Sequence, residues 1–90
     1  MLINLSINEV KLLKEALMYN NRGDLLLLLQ NNEGNRFDLT DDQIIDMEDS
    51  CQDYFLYTGL DESYEATAKG QSIERLIDKL YNYLEDSAPS

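Results

Sequence analysis

Ninety residues, 43% of them apolar, suffice for one domain with one modest core. Eighteen acidic residues against seven basic ones give a net charge of −11, a field that repels DNA, RNA and anionic lipid and attracts basic surfaces. The chain has no histidine and one cysteine, Cys51, which removes the commonest general base and metal ligand, any intrachain disulfide and any thiolate zinc site.

The single proline is Pro89, so positions 1–88 carry no residue that breaks a helix interior. Ser6-Ile7-Asn8-Glu9 is a capping box, with Leu5 and Val10 at the two staple positions around it. It predicts a helix over about 7–21, with Val10, Leu13, Ala16 and Leu17 on one face and Asn8, Lys11 and Glu15 on the other. Asn20-Asn21-Arg22-Gly23 is a stop-and-turn signal. Asp24 then caps a short segment over about 24–32. Its five leucines, Leu25–Leu29, lack periodicity, so strand stays open, but leucine without β-branched neighbours favours helix. Asn31–Asn35 reads as a loop, with Gly34 in a left-handed conformation.

Thr40-Asp41-Asp42-Gln43 is a second capping box, flanked by Leu39 and Ile44 as staple. It opens a helix over 41–58 that stops at Gly59 as a C′ residue. On a 3.6-residue wheel Ile44, Met47, Cys51, Tyr54, Phe55 and Thr58 fall on one side and Asp42, Asp46, Asp49 and Asp53 on the other. Residues 60–66 read as a polar linker, after which Thr67 or Ser72 opens a last helix over about 68–86. Ile73, Leu76, Ile77, Leu80 and Leu84 form its apolar stripe, and Ser87–Ser90 form a fraying tail. The expectation is an all-α protein, a small bundle of three to four helices forming one domain over residues 1–86.

The charge is uneven: residues 1–22 carry +1, residues 67–90 carry −1, and residues 23–66 carry −11. The most informative part of that acidity is the row Asp42, Asp46, Asp49, Asp53. Its neighbours stand about 5–6 Å apart along the axis at 1.5 Å rise per residue, close to the roughly 6–7 Å between phosphates of one nucleic-acid strand. Like charges at this spacing cost a few tenths of a kcal/mol per pair. A plain solvated face accounts for the row; so does a docking surface for a basic partner. Ile45 and Leu56 project from the flank of the same helix, and with Tyr57 they give the row apolar neighbours.

Little else carries chemistry. Four glycines, Gly23, Gly34, Gly59 and Gly70, are dispersed singly and form no phosphate loop. The aspartates of 38–53 lie at helical spacing, which points them outward in a line and cannot wrap a calcium ion. Cys51 lies on the apolar side of its helix, as a small buried hydrophobe does. No catalytic residue, metal or cofactor is expected. The longest apolar run is Leu25–Leu29, too short for a bilayer, and Met1–Leu5 lacks the features of a signal peptide, so no membrane association and a cytoplasmic location are expected.

Tyr64-Glu65-Ala66-Thr67-Ala68-Lys69-Gly70, followed by Ile73 and Leu76, resembles the wing-to-final-helix stretch of winged-helix regulators, with Ala66 where those carry leucine. That resemblance implies a DNA-binding regulator. In size, helix count and acidity the chain also resembles the immunity proteins that neutralise DNase colicins, although their paired tyrosines of helix III are not found. The residues themselves favour a non-enzymatic interaction module that presents Asp42, Asp46, Asp49 and Asp53, flanked by Ile45, Leu56 and Tyr57, to a basic protein surface. Such a module can inhibit a nucleic-acid-binding protein by occupying its site without binding nucleic acid itself. A homodimer built on the leucine-rich segment is the structural alternative.

Overall fold

The computed structural model describes residues 1–30 and 35–87. Its elements in chain order are β1 (Leu2–Asn4), α1 (Ile7–Tyr19), α2 (Gly23–Gln30), β2 (Arg36–Asp38), α3 (Asp41–Thr58) and α4 (Ala68–Ser87). Four helices form the bundle, as expected, and a two-stranded ribbon that the sequence did not announce closes one end. The expected loop at 31–35, including Gly34, lies mostly outside the described residues, as does most of the expected tail; Ser87 itself is helical.

Both capping boxes form. The Ser6 hydroxyl accepts from the Glu9 amide while the Glu9 carboxylate accepts from the Ser6 amide, and Thr40 and Gln43 repeat the arrangement at the start of α3. Helix α1 stops at Tyr19, two residues earlier than expected. Asn21 takes the left-handed conformation, with φ 57°, and the Asn21 and Arg22 amides donate to the carbonyls of Met18 and Leu17. This is the Schellman arrangement, with asparagine where glycine is commoner. Gly23 therefore does not end α1 but starts α2, and Asp24 is not its cap: the Arg22 carbonyl accepts the first amides, and Asp24 sits in the first turn.

The leucine run is helical. Leu25 and Leu29 reach the core, Leu26 and Leu28 are partly buried, and Leu27 faces outward. The ribbon pairs Leu2 with Asp38, Ile3 with Phe37 and Asn4 with Arg36 in antiparallel register. Alternation along each strand sends Ile3 and Phe37 into the core and their neighbours out. Tyr83 of α4 fastens the ribbon's outer edge, its hydroxyl accepting from the Asn4 amide at 3.0 Å and donating to the Asn4 carbonyl.

Helices α3 and α4 make the most extensive pairing, and α1 packs across both. Their shared core contains Ile44, Met47, Cys51 and Tyr54 from α3, Ile73, Leu76 and Leu80 from α4, and Leu13, Ala16 and Leu17 from α1. The stretch 60–66 is a tight turn rather than a linker. Leu60 and Ala66 bridge, the Asp61 carboxylate accepts from the Ser63 and Glu65 amides, and Tyr64 stands at its tip with φ 61°. Thr67 caps α4 by accepting from the Gly70 amide at 3.0 Å. At this corner the Gly59 carbonyl accepts from the Thr67 amide, and Gly70 sits directly on the Gly59 backbone. Gly59 itself has φ −88°, so it is not the left-handed C′ residue that the sequence suggested. A side chain there would meet the Phe55 ring and carbonyl first and then the Gly70 Cα of α4, so the position is crowded from both sides.

Candidate interaction surface

At 100° per residue, α3 divides into an inner arc and an outer arc. The inner arc buries Ile44, Met47, Ser50, Cys51 and Tyr54. The outer arc holds Ile45, Gln52 and Leu56 on one flank, Asp42, Asp46, Asp49 and Asp53 along the middle, and Tyr57 on the other flank. Ile45 is 43% exposed, Leu56 69% and Tyr57 68%.

The four aspartates are not equivalent. Arg22, in the α1–α2 turn, grips Asp24 with two hydrogen bonds of 3.1 Å and reaches Asp46 at 3.2 Å. Its hydrogen bonds hold the Asp24 carboxyl below the usual range and the guanidinium still more firmly charged. Asp46 thus serves a link between α2 and α3, and the regular four-member row is interrupted at its second position. No cation lies within ion-pair distance of Asp42, Asp49 or Asp53 among the described residues. Asp42 and Asp49 are about 10 Å apart along the axis, and Asp49 and Asp53 about 6 Å.

At the C-terminal end of α3 the structure adds residues that the sequence reading missed. Tyr19, the last residue of α1, stacks on Tyr57 with ring centroids 4.5 Å apart and planes inclined by 24°. Tyr54 completes a three-ring cluster, 5.6 Å from Tyr19 and 6.4 Å from Tyr57. The i,i+3 spacing of Tyr54 and Tyr57 on one helix was the available signal; Tyr19 is too distant in sequence to have been found. Tyr19, Asn20, Asp53, Leu56 and Tyr57 line an open depression of about 580 Å³. Three of the seven expected contact residues, Asp53, Leu56 and Tyr57, therefore meet at one place. Asp42 and Ile45 belong to the opposite end of the helix, and Ile45 is about 16 Å from Leu56 along the axis.

The inner side of the tyrosine cluster already holds a cation. The Lys69 ammonium donates to the Tyr54 hydroxyl at 2.9 Å and pairs with Glu15 at 3.5 Å. It lies 5.1 Å from the Tyr54 ring centroid, so the hydroxyl contact dominates over attraction to the ring face. That hydroxyl, followed by the Glu15 carboxylate, holds the Lys69 ammonium above the usual lysine value.

Other parts of the molecule offer less. Burial, and secondarily the Glu48 charge, push the Cys51 thiol up to about 12, so it stays protonated near neutral pH. Among the described residues no group of three or more His, Cys, Asp or Glu could hold a metal ion, and no helix is long and apolar enough to cross a membrane. Leu27, 60% exposed, is the one strongly exposed member of the leucine run; a single leucine of that kind is ordinary surface. In the Tyr64–Gly70 stretch, Thr67 and Gly70 have local duties as helix cap and crossing point. No protein-family model, curated protein or solved structure matches the chain.

Proposed function

We propose that this protein is a non-catalytic interaction module that docks on a basic protein surface through the outer arc of α3. One observation carries the reading. Asp42, Asp49 and Asp53 stand exposed, with no cation partner among the described residues, on a helix that also exposes Ile45, Leu56 and Tyr57. Charges run along the middle of this arc with apolar groups on both flanks, which suits a contact steered by charge complementarity and bordered by apolar surface. A field of this sign speeds encounter with basic partners, and occupying the phosphate-binding site of a nucleic-acid-binding protein is one consequence open to such a surface.

The test uses labelled octalysine as a basic probe at low salt, where the Debye length is long. Asp42, Asp49 and Asp53 are replaced together by asparagine. A control carries Glu62→Gln, Glu74→Gln and Asp78→Asn, all exposed and outside α3, so both variants lose the same three charges of the net −11. At about 0.2–1 kcal/mol per exposed pair, three pairs amount to about 0.6–3 kcal/mol, so the α3 variant should bind roughly 3- to 150-fold more weakly. The control should lose less than about threefold. Equal losses would mean that net charge alone attracts the probe, and the docking surface would be refuted. Asp46 is left in place because its bond to Arg22 links two helices.

A further inference from the structure

We infer that the depression at the C-terminal end of α3 is a reader of arginine: a guanidinium from the basic partner lies against the Tyr57–Tyr19 stack while Asp53 accepts its hydrogen bonds. This rests on the docking reading above and names the partner group that the surface would select.

Three independent observations converge. The first is geometry. Asp53 and Tyr57 are four residues apart on α3, hence neighbours on its surface, and both line the same depression with Tyr19 and Leu56. Tyr57 and Tyr19 are stacked yet 68% and 45% exposed, so broad apolar ring surface is presented to solvent beside the Asp53 carboxylate. The second is charge. Asp53 has no cation partner among the described residues, and no basic side chain lines the depression. The third is internal precedent. On the inner side of the same three-ring cluster the protein already holds a cation between a tyrosine and a carboxylate, with Lys69 between Tyr54 and Glu15.

The inner and outer positions ask for different cations. Lys69 meets a hydroxyl and a carboxylate oxygen, two point acceptors suited to a compact ammonium. The outer position offers ring surface and one carboxylate that no described residue ion-pairs or hydrogen-bonds. That suits a planar guanidinium, which can lie against an aromatic ring while its fork donates to a carboxylate. Asn20 does not compete for the Asp53 carboxylate, because its amide N–H groups donate to the Ala16 and Ser50 carbonyls at 2.8 and 3.0 Å.

The experiment compares octaarginine with octalysine on the full chain and on Tyr57→Ala, Tyr57→Phe and Asp53→Asn. The wild-type chain should bind octaarginine about three- to fivefold more tightly, the size expected of a cation on an exposed aromatic ring. Tyr57→Ala should abolish that preference, weakening octaarginine more than octalysine. Tyr57→Phe keeps the ring and should keep the preference, which separates stacking from a role of the hydroxyl. Asp53→Asn should weaken both peptides and narrow the gap between them. Equal binding of both peptides by the wild-type chain overturns the inference, as does a preference that survives in Tyr57→Ala. Either result can stand with octalysine binding that still depends on Asp42, Asp49 and Asp53, so loss of the arginine site is distinguishable from failure of the docking surface. Binding of neither peptide overturns both.

Discussion

The two arcs of α3 obey different rules although they alternate along the same eighteen residues. On the inner arc, volume decides. Ile44, Met47 and Cys51 are fully buried, and at the end of the helix Gly59 and Gly70 let two backbones touch. On the outer arc, aspartates stand near one another with one arginine in compensation, and Leu56 and Tyr57 remain wet. The contrast teaches that this helix keeps the residues that hold the fold apart from an acidic, apolar-flanked face turned to solvent. Substitutions should therefore move stability or binding, seldom both.

The sharpest way to break that contrast uses two adjacent isoleucines. Ile44 is fully buried and Ile45 is 43% exposed. Ile44→Ala should cost about 3–4 kcal/mol in urea unfolding, from lost burial plus the cavity left behind. Ile45→Ala should change stability by about 0.5 kcal/mol or less, since alanine's helix propensity offsets the small burial lost. Equal costs would show that the outer arc is part of the core after all.

Gly70→Ala comes next. In an ordinary helix position this change stabilises by up to about 1 kcal/mol. Here a methyl group would overlap the Gly59 carbonyl oxygen, which is backbone and already accepts from Thr67, so it cannot move aside cheaply. A loss of about 2–3 kcal/mol is expected from overpacking. The sign alone decides whether the corner is as tight as the geometry shows.

That corner also marks where the sequence was legible and where it was not. The two capping boxes, the bounds of α3 and the stripes of α3 and α4 could be read directly, because they depend on hydrogen bonds three residues apart and on a 3.6-residue period. The need for Gly59 and Gly70 was not, because it arises from contact between two helices. The ribbon was hidden for the same reason: each strand is three residues long, and its alternation has meaning only once Ile3 faces Phe37 across more than thirty residues. Of the candidate surface, the aspartate row and its flanking Ile45, Leu56 and Tyr57 were visible by periodicity. The Arg22 bridge to Asp46 and the stacking of Tyr19 on Tyr57 were not, since both depend on how α1 and its turn cross α3.

The smallest expected effect lies on the border between the arcs. Glu48 is half-buried, and burial, followed by the Asp49 charge, raises its carboxyl against a weaker opposing bond from Gln52. Its unfolded form therefore ionises first, and the fold loses stability from this group as pH rises through the window between the ordinary glutamate value and the raised one. Glu9 acts in the opposite sense. Burial pushes it up, but the Lys79 ammonium at 2.8 Å and the Ser6 amide outweigh burial and hold it low. Its contribution is present above the ordinary glutamate value and is lost as pH falls through the lowered one. Glu48→Gln keeps the side-chain shape and an acceptor for Gln52. It should raise stability at about pH 7 by about 0.5 kcal/mol or less, and the gain should shrink as pH falls through the window between the raised and the ordinary glutamate value. Lys79→Met should instead destabilise near neutral pH, with its effect fading as acid protonates Glu9. A Glu48→Gln variant less stable than the parent at pH 7 would mean that this carboxylate is a supported member of the outer arc and not a strained one at its edge.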